Sequence, residues 1–257
     1  MIRLEHIHKY YNPGTVNEMC LFEDFSLEIP KGQFISIVGS NGSGKTSLLN
    51  IICGSIPVES GAIYVNDREI TNQKEYLRHR SIGRVYQDPS KGTCPSMTIL
   101  ENMALADNKG KPYGLGFNIH KDRIAAYKEM LAPLNLGLED KLHVKVGSLS
   151  GGQRQAIALL MATMTPIDML ILDEHTAALD PKTAEIIMEF TNRVVREKQL
   201  TTMMVTHNLR YAVQYGDRLL MMHQGDAIID AAGDAKKAIT TEEIMKTFNE
   251  ISVECGN

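Results

Sequence analysis

The chain has 257 residues, 43% hydrophobic and 23% charged, which suits one or two globular domains with a real core and excludes a disordered chain. Its 27 basic and 31 acidic side chains leave a net charge of −4, so there is no global basic field to hold nucleic acid or an acidic membrane. The longest uncharged apolar stretch, Ala156 to Met164, falls well short of the ~18 residues that a membrane helix needs.

Ile2 to Lys9 alternates in hydropathy and predicts a strand, with Phe25 to Ile29 as a second. His6 and His8 share a face of the first, but no third ligand is near in sequence, so packed or exposed histidines fit better than a metal pair. Phe34 to Val38 is a short β-branched run ending at Gly39, the pattern of a buried parallel strand, and Lys45 to Cys53 then predicts a helix. Ala62 to Val65 and Ile82 to Tyr86 are further strands.

From Asp88 to Leu149 the texture changes. Turn-rich stretches at Asp88 to Pro95 and Gly110 to Gly116 separate two helices, Thr98 to Asp107 and His120 to Leu134, and Thr98 with Glu101 forms a capping-box pattern. Strand and helix alternation resumes with Met169 to Leu172 as a strand. Pro181 to Arg196 is a helix with Asp180 as its N-cap, Thr201 to Val205 and Leu219 to Met222 are strands, and Thr241 to Phe248 is a last short helix. The expected fold class is α/β, a mainly parallel sheet covered by helices. Met1 to Glu5 lacks a signal-peptide pattern, and Cys20, Cys53, Cys94 and Cys255 form no CxxC. A cytoplasmic chain with reduced thiols is therefore expected.

Three motifs carry chemistry. Gly39-Ser40-Asn41-Gly42-Ser43-Gly44-Lys45-Thr46 fits GxxxxGK[ST] between a strand and a helix. Its glycines let backbone N–H groups wrap a phosphate, and the helix N-terminus adds partial positive charge. Lys45 is placed for the β- and γ-phosphates and the Thr46 hydroxyl for Mg²⁺, with Ser47 next to it. Met169 to Leu172 delivers Asp173 to a carboxyl strand end, where it can hold Mg²⁺ through water, and Glu174 follows as the acceptor of a proton from attacking water. Alone, such a strand is as often one that ends in solvated acids; with the phosphate loop it becomes a nucleotide site. Leu149-Ser150-Gly151-Gly152-Gln153 precedes a helix and forms a second anion-binding pattern. Alone it would be a polar turn and helix cap. Beside a first phosphate site it implies that another molecule's phosphate docks there.

This ordered set resembles the ATPase subunit of an ABC transporter, a P-loop NTPase cassette, over essentially the whole chain. The resemblance implies one ABC ATPase domain over 1–257. Residues 1–87 and 150–257 form its catalytic core with a small antiparallel β subdomain, and 88–149 forms a helical subdomain that receives a coupling helix of the permease. Gln87 matches the Q-loop glutamine, contacting Mg²⁺ and water; Asp180 closes the D-loop; His207 matches the switch histidine that holds the γ-phosphate and orients Glu174, the general base. Tyr11 matches the aromatic that stacks on adenine, with Tyr10 as the one-residue alternative. The family implies ATP and Mg²⁺ as ligands and a head-to-tail ATPase pair, of one chain or two, in which Ser150, Gly151, Gly152 and Gln153 contact the partner's ATP. His175 departs from the family, which usually has proline after the glutamate, so that proline's rigidity is lost there. The stretch Asp173 to Ala184 looks like an importer subgroup linked to periplasmic-type binding proteins, some proposed to carry tryptophan or tyrosine.

The implied function is the ATP-hydrolysing engine of a transporter for a small solute such as an amino acid. It would sit at the cytoplasmic face of the membrane through its permease, with an extracellular substrate-binding protein and no nucleic acid as partner. A soluble ABC-type ATPase acting on ribosomes or DNA is the alternative, but the ribosomal type has two cassettes per chain and the DNA-repair type a long coiled coil, and neither pattern is present. A nucleotide-gated module without hydrolysis is disfavoured by the presence of both Glu174 and His207.

Overall fold

The structure, a computed structural model, describes residues 1–112 and 119–254. Part of the Gly110 to Gly116 turn, and Cys255, lie outside them. In chain order the elements are β1 (Ile2–Tyr11), β2 (Met19–Ile29), β3 (Phe34–Gly39), α1 (Lys45–Cys53), β4 (Ser60–Val65), β5 (Arg68–Glu69), α2 (Glu75–Arg78) and β6 (Ile82–Val85). There follow α3 (Ile99–Asp107), α4 (Arg123–Leu131), α5 (Gly151–Thr163), β7 (Met169–Asp173), α6 (Pro181–Glu197), β8 (Thr201–Val205), α7 (Leu209–Gln214), β9 (Arg218–His223), β10 (Asp226–Ala232), α8 (Gly233–Ala238) and α9 (Thr241–Glu254). They fall into two compact units, Met1–His79 with Lys198–Asn257, and Arg80–Glu197. The segment 88–149 thus shares the second unit with β6, β7, α5 and α6, which the sequence reading groups with the core.

The first unit contains a four-stranded antiparallel sheet, β2-β1-β4-β5. Its strands alternate buried and open positions, as sheets with one wet face do. A bulge in β1 sets His6 at φ 50°, with its ring against Asp24 at 2.6 Å. The same unit holds β10-β9-β3-β8, in which β3 is parallel to both β8 and β9, and β10 is antiparallel to β9. Every residue of β3 and β8 is buried, which explains why neither carries a charged side chain and why both are largely apolar, with Ser36, Thr201 and Thr202 as their buried polar members. Ile244 of α9 completes a core cluster with Val38, Ala212, Leu219 and Met221.

In the second unit β6 and β7 pair in parallel, and α5 packs on β6, α3 and α6. Thr98 and Glu101 form the expected capping box on α3. Helix α4 begins at Arg123, three residues after His120, and its end tightens into a 3₁₀ turn at Ala132–Leu134.

Helix α1 is held at its far end by an arginine. Arg78 is 4% exposed, and its guanidinium donates to the carbonyls of Ile51 (2.8 Å), Ile52 (3.0 Å), Thr71 (2.7 Å) and Gln73 (2.9 Å). It thereby satisfies carbonyls that the end of a helix leaves without partners. Replacing Arg78 by Ala strips two buried and two part-buried carbonyls of a charged donor and is expected to cost about 3 kcal/mol in urea unfolding. A change below about 0.5 kcal/mol would show that water substitutes freely there.

Candidate nucleotide site

The phosphate loop lies in the first unit, between β3 and α1. Gly39 pairs with Met222 of β9, and a Cβ on it would sit 2.3 Å from the Met222 carbonyl oxygen. Only glycine fits there. Gly42 and Gly44 hold φ values of 79° and 101°, which other residues adopt only with strain. A Cβ on Gly42 would meet nothing within 4 Å, so the loop presents bare backbone to open space. Gly44 is the N-cap of α1 and brings no side chain to cap it, and the first turn carries no acid. The N–H groups at this nine-residue helix start are thus suited to an anion. Lys45, 5% exposed, donates from Nζ to the carbonyls of Gly39 (2.8 Å) and Ser40 (2.7 Å) and to Ser43 Oγ (3.3 Å). The Tyr11 hydroxyl lies 3.0 Å from Ser47 Oγ, which brings Tyr11 to the loop, while Tyr10 pairs with Cys20 on β2. His207 is exposed just beyond β8. It lies between Thr206, whose N–H donates to the Ile37 carbonyl (3.1 Å), and Asn208, the N-cap of α7.

The second unit holds the acidic strand end. Asp173 closes β7, and its Oδ2 accepts from Arg84 Nη2 at 2.7 Å, both side chains being mostly buried. The Arg84 guanidinium lies 4.7 Å from the centre of the Tyr86 ring. Glu174 follows in the left-handed region at φ 49°, and its carbonyl accepts from the Ala177 N–H at 3.0 Å. His175 is 3% exposed and its Nε2 lies 3.2 Å from Thr191 Oγ1 on α6. Burial lowers its pKa from 6.5 to about 4, so the ring is neutral.

Gln87, exposed after β6, lines a cavity of about 430 Å³ with Asp88, Gly151, Arg154, Gln155 and His175, among others. Gln155, 1% exposed, fixes the start of this loop by donating to the Tyr86 carbonyl at 3.0 Å. Ser150 is the N-cap of α5: its Oγ accepts from the Gln153 N–H, and Gln153 Oε1 accepts from the Ser150 N–H. Gln153 Nε2 donates to the Leu136 carbonyl, so both ends of that amide are engaged within the chain. A Cβ on Gly152 would lie 2.1 Å from Thr183 Cγ2, so this glycine makes room for the Thr183 side chain of α6 against α5. Asp180 Oδ1 caps α6 by accepting from the Thr183 N–H at 3.0 Å.

Each unit therefore gathers its own part of the sequence-predicted set. Lys45, Gly39, Ser40, Ser43, Ser47 and Tyr11 come together in the first. In the second, Asp173 ends β7 and Glu174 follows it, and Gln87 and Gly151 share a cavity wall. Arg84 and Gln155 escaped the sequence reading, which noted His175 only as a departure from the family's proline. The one available signal was a charged Arg84 inside the apolar run of β6. Thr46, Gln87 and Asp173 offer a hydroxyl, an amide oxygen and a carboxylate, the hard oxygen donors that Mg²⁺ takes.

Residues 22–177 match the family described as ABC transporter. The chain is 46% identical, over 96% of its length and 98% of the relative's, to a tyrosine transport ATP-binding protein of Clostridioides difficile. It is 31% identical to a phosphonates import ATP-binding protein of Lactococcus lactis, over 95% of this chain and 97% of the relative. Among solved structures, an ATP-binding cassette of an ABC transporter in its ADP conformation aligns with TM-score 0.78 and 26% identity, covering 100% of this chain and 99% of that one. A dimeric post-hydrolysis cassette bound to ADP and Pi aligns with TM-score 0.76 and 29% identity, covering 90% and 98%.

The buried imidazole makes stability acid-sensitive. Its folded pKa, about 4, lies below the ordinary 6.5. Its contribution is therefore complete above pH 6.5 and is lost as the pH falls toward 4. Between pH 7 and pH 5 this amounts to about 2 kcal/mol. Urea unfolding at the two pH values should show that loss, and His175→Gln should lack it. An identical pH dependence in both proteins would contradict the assignment.

Proposed function

Because the chain belongs to the ATP-binding subunits of the ABC transporter family and is an ATPase of that family, we propose that it powers import of an aromatic amino acid through a separate membrane permease. The observation that supports the ATPase half is the phosphate loop at the head of α1, where uncapped backbone N–H groups lie beside the Lys45 ammonium, an arrangement suited to a phosphate chain. The solute rests on the 46% identical tyrosine transport protein and on the Asp173 to Ala184 stretch. The companion permease carries the membrane path, since among the described residues no helix is long and apolar enough to cross a membrane. The chain then works at the cytoplasmic face, with an extracellular binding protein delivering solute. Residues 88–149 act as the helical subdomain that meets the permease. A role on nucleic acid has no support in the net charge of −4 or in the relatives.

In this reading Lys45 and the loop N–H groups hold the β- and γ-phosphates, and Tyr11 stacks on adenine. Thr46, Gln87 and Asp173 hold Mg²⁺, which when bound neutralises charge on the phosphates. Glu174 accepts the proton of the attacking water, and His207 orients water and γ-phosphate. Ser150, Gly151 and Gly152 serve the nucleotide of a second copy or a paired subunit, because the phosphate loop already supplies one anion site for the chain's own nucleotide. Catalysis is then mainly positioning and charge stabilisation.

Glu174→Gln is expected to bind ATP normally and to lose about 100-fold or more of its turnover. It should run as a stable ATP-bound dimer in gel filtration. A variant that stays monomeric with ATP and hydrolyses at the parental rate would overturn the mechanism. Ser150→Arg should abolish hydrolysis while leaving the ATP affinity of the isolated chain within about twofold, a shift under 0.5 kcal/mol. Collapse of that affinity would place Ser150 on the chain's own nucleotide.

A further inference from the structure

We propose that His175 is a positioning residue for Glu174, tying the backbone that carries the general base to helix α6 through Thr191; this rests on the reading of Glu174 as that base. Glu174 sits at φ 49°, a left-handed conformation that a non-glycine residue adopts only with strain. Such a conformation persists only where the surroundings over-determine it. The turn hydrogen bond from the Ala177 N–H to the Glu174 carbonyl is one restraint. It is local, spanning only residues 174 to 177, and its donor Ala177 is open to solvent.

The long-range restraint is the next side chain. His175 is 3% exposed and Thr191 is 0% exposed, so the pair is shielded from water. Thr191 spends its only hydroxyl proton on the Ile187 carbonyl at 2.7 Å. Its oxygen must therefore accept from His175, which places the imidazole proton on Nε2. Thr191 lies well inside the 17-residue α6, so the anchor is a rigid one. Fixing the ring at 175 fixes the peptide between 174 and 175, and with it the direction of the Glu174 side chain. If that peptide relaxed to an ordinary φ, the carboxylate would swing away from the water it must deprotonate. A displacement of about 1 Å at a catalytic group is enough to lose on the order of 100-fold in rate.

The test is steady-state hydrolysis by the purified full chain, at a protein concentration where turnover per chain is constant. His175→Ala is expected to lower kcat about tenfold while KM for ATP and nucleotide stoichiometry stay within about twofold. His175→Gln, whose side-chain amide can donate to Thr191, should recover most of that loss. Thr191→Val should match His175→Ala, and the double variant should be no worse than either. A merely space-filling histidine would give equal losses in the Ala and Gln variants, and that result overturns the proposal. So does a parental kcat in His175→Ala. If His175→Ala fails to fold, Thr191→Val decides by the same split between kcat and KM. Glu174→Gln is run alongside. Turnover surviving in it would sink the base assignment itself, whereas turnover lost there but kept in Thr191→Val would sink only the positioning role.

Discussion

The carbonyl of Met222 leaves no space for a side chain at residue 39, and the phosphate loop depends on that constraint. Strands β3 and β9 run side by side until Gly39 meets Met222, and the chain can turn off the sheet there only as bare backbone. Beyond it Lys45 reaches back to the carbonyls of Gly39 and Ser40, so the charge proposed to serve a phosphate also staples the loop. At the other end of α1, Arg78 holds the last carbonyls. The helix whose N-terminus attracts the anion is thus fixed at both ends by a buried cation, each paid for with several hydrogen bonds.

The second unit solves a different problem, placing acids at a strand end without letting them repel or drift. Asp173 is paired with Arg84, which is itself laid over Tyr86. Glu174 is turned into the left-handed region and followed at once by a buried ring. The helix that starts at Ser150 is capped by its own Gln153, and Gly152 leaves room for the Thr183 methyl of α6, which a Cβ there would displace. Residues expected to touch nucleotide therefore also have structural duties within the chain.

Much of this was legible in the sequence. The runs Phe34 to Val38, Met169 to Leu172 and Thr201 to Val205 carry no charge because those residues are buried, and the Thr98 and Asp180 caps are local chemistry that spacing reveals. Strand β10 was not legible, since most of its residues are exposed and only its pairing with β9 makes it a strand. The roles of Arg78, Arg84 and His175 were hidden for one shared reason. Each depends on partners distant in sequence, which a lone arginine or histidine does not announce. The division into two units was equally hidden, because the first is assembled from the two ends of the chain.

The central claim is that a nucleotide bound by one chain's phosphate loop is completed by another chain's Ser150 loop. Mixing two inactive variants, Lys45→Ala and Ser150→Arg, tests it most directly in a single-turnover hydrolysis assay. A mixed pair combines the intact Lys45 of one chain with the intact Ser150 of the other, so the account predicts activity well above the sum of the two variants alone. Activity no greater than that sum, with mixed pairs shown to form, would contradict it.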